Sequence, residues 1–347
     1  MLERRLIALI QEKAVRACPD TALEAGIGDD CAVITPSPGL QQAVTTDTFV
    51  ESVHFDLDYF EPAHLGGRLA AVNLSDLAAV GAKPRWAFLN LAVPAGLSDA
   101  FWDEFAGALV SRLSNFGCCL AGGDTVASPD LLYLTLTLAG EIVPGRWLKR
   151  GTARPGDIIY CSGWLGEAAA GLRILKHEKS RAAVFRAGSS LKRGNSALPW
   201  SIVNHLVRRH LEPEPRVRLG IALAESGLAT AGVDVSDGLA TDLAHICRQS
   251  RVRAEIHEDA LPVSDQMAAA CLALKLDSVE LVLSGGEDFE LLWTVAEENE
   301  KRLSDLAAGI LGRKPFRIGR ILPGGGVYLL TSKGSEEVTF QGYEHGR

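Results

Sequence analysis

The sequence predicts an α/β (α+β) protein built from two related α/β domains. Three observations carry that expectation. The chain has 347 residues, the length of two ordinary domains, each able to bury its own core. Segments with helical spacing alternate with short apolar runs of strand character from one end to the other. Two short motifs also recur in the same order: Val72-Asn73-Leu74-Ser75-Asp76 echoes Val233-Asp234-Val235-Ser236-Asp237, and Gly122-Gly123-Asp124 echoes Gly285-Gly286-Glu287, at offsets of 161 and 163 residues. The Pro-Gly pairs at 144–145 and 155–156 mark a junction. The expected domains are 1–143 and 144–347, each placing acidic loops on a shared cleft.

Composition narrows the function classes. Hydrophobic residues make up 47% and charged residues 22%, ordinary for a globular protein and unlike a disordered chain. A net charge of −8 argues against a nucleic-acid surface, which is normally basic. The seven cysteines include no C-x-x-C and several sit in apolar runs, as in Cys118-Cys119-Leu120. Neither a zinc site nor a disulfide framework is expected, and a reducing, cytoplasmic setting is the default. No run of about 18 apolar residues suggests a membrane span.

The first half opens with a helix over Leu2 to Arg16. Gly26-Ile27-Gly28-Asp29-Asp30 then forms a glycine-rich turn feeding the apolar strand Cys31 to Ile34. Paired aspartates cannot both remain charged and buried without a cation, although a surface turn is the plainer reading. A strand from Gln41 to Thr46 is expected to spill into the polar turn Thr45-Thr46-Asp47-Thr48, whose hydroxyls and carboxylate are hard-oxygen donors suited to Mg²⁺. The helix from Pro62 to Val80 carries Asp76 among apolar neighbours, where an uncompensated charge is costly. A strand at Trp86 to Val93 and an amphipathic helix at Asp99 to Phe116 follow. Trp102, Phe105, Leu109 and Leu113 of that helix read as core. The strand Cys118 to Ala121 then leads into Gly122-Gly123-Asp124-Thr125, a loop whose free amides suit phosphate. The alternating strand Leu131 to Glu141 closes the half.

The second half begins with a strand at Asp157 to Ser162 and a helix from Glu167 to about His177. The charged stretch 178–196 lacks periodicity and reads as a surface excursion. Helices at Ile202 to Arg209 and Val217 to Ser226 precede the strand Ala229 to Val235, which delivers Asp234, Ser236, Asp237 and Gly238 to a helix at Leu239 to Ser250. Ser284-Gly285-Gly286-Glu287-Asp288 leads into the strand Phe289 to Val295, a helix from Glu298 and two short strands.

The sequence contains no G-x-x-x-x-G-K-[ST], no G-x-G-x-x-G and no H-E-x-x-H, so P-loop, Rossmann and zincin chemistry lose their main support. Asp234-Val235-Ser236-Asp237-Gly238 differs from a nucleophile elbow in its first glycine. What remains is carboxylates, hydroxyls and glycine loops, the parts for Mg²⁺-nucleotide work, in which positioning and charge neutralisation dominate.

Taken together and in order, Gly28-Asp29-Asp30, Thr45-Thr46-Asp47-Thr48 through His54-Phe55, Asn73-Leu74-Ser75-Asp76, Gly122-Gly123-Asp124-Thr125, Asp234-Val235-Ser236-Asp237-Gly238 and Gly286-Glu287-Asp288 resemble the thiamine-monophosphate kinase family. That family sits in a superfamily with aminoimidazole ribonucleotide and selenophosphate synthetases. The likeness runs from about Glu3 to Tyr343 and includes Arg150, Pro155-Gly156-Asp157 and the segment from His210 to Arg216. It implies ATP-dependent phosphorylation of thiamine monophosphate to thiamine diphosphate by direct in-line transfer. It further implies a homodimer whose N-terminal sheets join into a barrel, ATP near that interface, and a C-terminal mixed sheet flanked by helices. Domain 1–143 would then bind ATP and Mg²⁺ and dimerise, and domain 144–347 would complete the site.

Carried over by motif, Asp30, Thr45, Thr46, Asp47, Asp76, Asp124, Asp234 and Asp237 would bind several Mg²⁺ ions, directly or through water. Gly123, Asp124, Arg150 and Ser236 would face ATP as co-substrate, and His54, Glu287 and Tyr343 would face the thiamine side. No residue is needed as general base, and neither nucleic acid nor membrane is implied as a partner. Two departures stand out: Ser52 occupies a position where the family has Gly, and 178–196 matches nothing in it. Two rivals remain open. One is a superfamily relative that activates a carbonyl or selenide, although Cys18 before Pro19-Asp20 does not fit a selenide enzyme. The other is a non-catalytic Mg²⁺-nucleotide module.

Overall fold

A computed structural model describes residues 3–17, 20–179 and 198–338. The chain divides into two units, Met1–Leu77 with Ala82–Gly145, and Ala78–Gly81 with Arg146–Arg347.

The first unit contains α1 (Glu3–Ala17), the short strands β1 (Leu23–Ala25) and β2 (Val33–Ile34), β3 (Gln41–Val50), most of α2 (Pro62–Val80), β4 (Lys83–Val93), α3 (Asp99–Ser114), β5 (Cys119–Ala127) and β6 (Tyr133–Ile142). Its main sheet has the order β3-β6-β4-β5. Only the β4–β5 pair is parallel, so the sheet is mixed. Leu134, Leu136 and Leu138 of β6 alternate into the core, as do Leu89 and Leu91 of β4, and all are buried with Leu65 and Leu69 of α2 and Trp102, Phe105 and Leu109 of α3. Ser98 caps α3 by accepting the Phe101 N–H at 3.1 Å, the arrangement that satisfies an orphan donor at a helix start.

Two strands run further than sequence reading expects. β3 does not end at Thr46 but pairs with β6 through Val50. β5 does not end at Ala121 but carries Gly122 to Ala127 along β4. Thr45 to Thr48 and Gly122 to Thr125 are therefore strand residues rather than loop residues. Polar composition suggested turns. Pairing along one edge, with alternate side chains left outward, makes a polar strand stable.

The second unit contains β7 (Ile158–Cys161), α4 (Glu167–Lys179), α5 (Trp200–Leu211), α6 (Val217–Ser226), β8 (Ala229–Val235), α7 (Leu239–Ser250), β9 (Arg253–His257), α8 (Asp265–Leu274), α9 (Ser278–Ser284), β10 (Glu290–Val295), α10 (Glu300–Leu311), β11 (Phe316–Leu322), β12 (Gly326–Thr331) and β13 (Gly334–Glu337). Its seven strands order as β13-β12-β9-β11-β7-β10-β8, mixed because β12 runs parallel to β9. The two α/β units with mixed sheets and flanking helices agree with the expected fold class. β9, α8 and α9 were not anticipated.

Among the described residues five cysteines are free, four of them buried, and Cys119 is disulfide-bonded. Among the described residues no helix is long and apolar enough to cross a membrane.

Candidate functional site

In the first unit, β3 and α2 bring two of the expected metal ligands together: the Thr45 hydroxyl donates to the Asp76 carboxylate. This contact is one answer to how an aspartate is tolerated inside α2. Strand alternation places Asp47 on the same face as Thr45 and turns Thr46 to the other. There Thr46 and Thr48 pair with Thr137 and Thr135 of β6, hydroxyl to hydroxyl, at 2.9 and 2.8 Å. His54 lies in the turn after β3. Its Nδ1 accepts the Val50 N–H at 3.0 Å, and its ring stacks on Phe49 with centroids 6.0 Å apart. In that turn Ser52 has φ 67, the left-handed region that ordinarily favours glycine.

Asp30 and Asp124 meet elsewhere. Both line a cavity of about 720 Å³, together with Gly28, Asp29, Gly123 and Asn90. Thr45, Asp47 and Asp76 are not in its wall. Asn90 and Asp124 are partners in the β4–β5 ladder, and Asp124 accepts the Thr125 N–H at 2.8 Å. Gly123 makes the close pairing possible. It has φ +152, and a Cβ there would sit 1.8 Å from the Leu89 carbonyl oxygen.

In the second unit, β8 places buried Asp234 next to the turn that carries Ser236 and Asp237 into α7. Asp242, in the first turn of α7, accepts the N–H groups of both Ser236 and Asp237 at 3.1 Å. Burial, and then the charges of Asp234 and Asp237, push the Asp242 carboxyl up to about 8, against the pull of those two amides. Ligand atoms of Asp237, Asp242 and His245 all lie within 4.8 Å of one another. His245 is held below its ordinary value by burial and by Arg150 and Arg248, with Asp237 opposing them. The Arg150 carbonyl accepts the Ser250 hydroxyl at 2.8 Å, at the C-terminal end of α7. The crowding of carboxylates whose charges disfavour one another fits an oxygen-liganded cation.

Glu287 lies in the loop before β10 with φ 61. Its N–H donates to the Ser236 carbonyl at 2.7 Å, and its carboxylate is 3.3 Å from Nδ1 of buried His210. Directly beyond it, Asp288 accepts the Gly166 and Ala168 N–H groups at the start of α4, at 2.6 and 3.1 Å. Glu290 gathers Arg216, Arg209 and Ser162, and Arg209 also reaches Glu167 at 2.9 Å. Tyr343 lies outside the described residues.

The chain matches the family models for the N-terminal domain of AIR synthase related proteins over residues 28–142 and for their C-terminal domain over residues 154–331. It is 40% identical to the thiamine-monophosphate kinase of Salmonella typhimurium over 84% of this chain and 82% of that one. With the Escherichia coli K12 enzyme it shares 37% identity over 93% and 92%. The chain belongs to the thiamine-monophosphate kinase family. As a member it is an enzyme of the kinase class. Among solved structures, the thiamine-monophosphate kinase from Stenotrophomonas maltophilia K279a aligns with a TM-score of 0.79 at 36% identity, covering 95% of this chain and 96% of that one. AaThiL complexed with AMPPCP and TMP aligns with a TM-score of 0.75 at 29% identity, covering 99% and 96%.

Within this kinase family frame, motif reading gave no site role to Asp242, Glu290, Arg209, Arg216 or His245. The first and last of the α7 group had a legible signal. Asp242 and His245 stand three apart on a helix that opens directly behind an Asp-x-Ser-Asp-Gly turn, so they share the face nearest that turn. The arginine partners of Glu290 come from α5 and the segment after it, and Ser162 from just beyond β7, pairings no spacing in the sequence announces.

Proposed function

We propose that this chain transfers the γ-phosphoryl group of ATP to the phosphate of thiamine monophosphate, giving thiamine diphosphate by direct in-line displacement without a phosphoenzyme. The observation that carries this reading is the near full-length identity with thiamine-monophosphate kinases, supported by a fold relative that holds AMPPCP and TMP. The acceptor phosphate has a second pKa of about 6 and is an oxyanion at neutral pH, so no side chain need act as general base. That suits a site rich in carboxylates.

We assign the nucleotide and its metals to residues 1–143, with 144–347 completing the site. Asp30, Thr45, Asp47, Asp76, Asp124, Asp234 and Asp237 would hold several Mg²⁺ ions. Thr46, with its hydroxyl on Thr137, would contribute through its backbone. Bound Mg²⁺ would neutralise the phosphate oxygens and orient them for transfer. Gly123, Asp124, Arg150 and Ser236 would face ATP. On the acceptor side, the His54 ring and the Glu287 carboxylate would face thiamine, the latter matched to the cationic thiazolium, with Tyr343 an aromatic partner for the same charge.

A homodimer accords with β3 and β5 lying at the two ends of the four-stranded sheet, and with Val44 and Val126 exposed on those strands at 68% and 51%. An ATP-consuming reaction on a small phosphate ester is in keeping with a cytoplasmic enzyme whose partners are ATP and thiamine monophosphate rather than nucleic acid or membrane. The test is chromatographic detection of thiamine diphosphate from thiamine monophosphate and ATP, with and without Mg²⁺, and with an aminoimidazole precursor as parallel substrate. Mg²⁺-dependent thiamine diphosphate is the expected result. Turnover of the aminoimidazole substrate alone would overturn the reading, as would nucleotide binding with no transfer.

A further inference from the structure

The turn Ser236-Asp237-Gly238 is held by its backbone from two sides. On one side Asp242, only 2% exposed, takes the N–H groups of Ser236 and Asp237, both on Oδ2. On the other, the Ser236 carbonyl accepts the Glu287 N–H at 2.7 Å, and the Val235 carbonyl accepts the Phe289 N–H at 2.9 Å. Gly238, with φ +107, closes the turn; a Cβ there would stand 2.7 Å from the Leu283 carbonyl oxygen, at the end of α9. A buried carboxylate is costly unless its lone pairs are met. Here the amides that meet them are those leading into α7, donors that need a partner off the helix.

We propose that Asp242 is a positioning residue: its carboxylate fixes the backbone of the Ser236–Asp237 turn and, through the Ser236 carbonyl, the Glu287 loop. The carboxylates of Asp237 and Glu287 then project from one rigid unit rather than from two independent loops. This rests on the reading in which Asp237 serves the phosphates and Glu287 the thiamine. Phosphoryl transfer needs reacting atoms held about 3–3.5 Å apart, and a misplacement of ~1 Å can cost ~10²-fold in rate. A shared backbone bond between the two loops is a direct means of holding that distance. What the role demands of Asp242 is an oxygen acceptor at Oδ2. A metal-ligand role, the alternative suggested by its nearness to Asp237 and His245, demands its charge.

The two demands separate in Asp242→Asn and Asp242→Ala. Hydrogen exchange at the Ser236 and Asp237 amides reads the clamp without reference to activity, and turnover against Mg²⁺ concentration reads its consequence. The Ala variant is expected to lose protection at both amides and to turn over about 10²-fold more slowly. The Asn variant, which keeps the acceptor, should retain protection, the wild-type Mg²⁺ midpoint and most of the turnover. If the Asn variant keeps protection yet is as slow as Ala and needs more Mg²⁺, Asp242 acts through its charge and the proposal fails. Persistent protection in the Ala variant overturns it as well. Should Ala not fold, loss of both amides' protection in folded Asn overturns it, and retention supports it. A wild-type protein that makes no thiamine diphosphate would defeat the kinase reading alone, since the exchange comparison still decides the clamp.

Discussion

Replacing Glu290 by Gln should destabilise the C-terminal unit strongly, for reasons visible around its carboxylate. Glu290 opens β10, between β7 and β8, and is 1% exposed. Its two oxygens receive the Arg216 guanidinium as a fork at 2.7 and 2.6 Å, Arg209 at 3.1 Å and the Ser162 hydroxyl at 2.5 Å. Burial alone would raise its pKa. The hydrogen bonds and charge of Arg216, then the charge of Arg209, outweigh burial and hold the carboxyl below its ordinary value. Gln keeps the shape but replaces one acceptor oxygen with an NH₂ aimed at a guanidinium.

Breaking a buried pair by removing one partner typically costs about 3–5 kcal/mol. Arg209 retains Glu167 at 2.9 Å, so the unmet charge falls mainly on Arg216, which puts the expectation at the lower end, ~3 kcal/mol. Urea unfolding followed by tryptophan emission reads it, since Trp293 lies in β10, is buried, and stacks on Tyr160. A loss below about 1 kcal/mol, the range of exposed ion pairs, would refute the reasoning. The pH dependence gives a second reading. The depressed pKa means the stabilisation is complete above the unfolded value near 4.5 and is lost as pH falls through the folded one. Wild type should therefore lose more stability on acidification below that value than the Gln variant.

Asp288 should show the opposite slope in a different window. Burial pushes its carboxyl up to about 7 against the Gly166 and Ala168 amides and Arg209, from an ordinary value of 3.8. Between those values the folded state binds more protons than the unfolded one, so this group's contribution falls as pH rises from about 4 to 7. Asp288→Asn removes the titration but keeps an acceptor for only one of the two amides, which bond to different oxygens of Asp288. It should therefore flatten that decline in urea midpoints measured across the window while lowering the midpoint itself. Asp47→Asn and Asp124→Asn should each lower turnover by orders of magnitude while leaving the urea midpoint unchanged or raised, because carboxylates around an empty cation site repel. Near wild-type turnover in either variant would remove that residue from the metal set.

Much of the fold was legible because apolar periodicity survives in the buried elements. The Trp102, Phe105, Leu109 stripe of α3 and the alternate leucines of β6 read correctly. The errors fall where polar residues lie in strands. Thr45 to Thr48 looked like a turn, yet Asp47 pairs with Leu136 and Thr48 with Thr135 in register. Their stability comes from the partner strand, which sits some ninety residues away in sequence. In the site, the motif carboxylates were legible by type and order. Their groupings were not: Thr45 with Asp76, Asp30 with Asp124, and Asp237 with Asp242 and His245 each depend on how strands and helices stack. The Glu290 cluster had no local signal at all.

The internal echo shows how little five residues determine by themselves. Val72 to Asp76 lies wholly within α2, whereas Val233 to Asp237 is the end of β8 and a turn. Gly122 to Asp124 lies within β5, whereas Gly285 to Glu287 is the loop after α9. Similar letters therefore present their carboxylates by different physics. Asp76 and Asp124 project from regular elements, and much of the backbone near them is committed to a helix or to the β4 ladder, so the side chain must supply the chemistry. Asp237 and Glu287 project from turns whose amides and carbonyls are cross-bonded between loops, so backbone geometry sets where those carboxylates stand. A substitution in the first pair should change chemistry with little effect on its surroundings, while one beneath the second pair, at Asp242, should act by moving residues it does not itself replace.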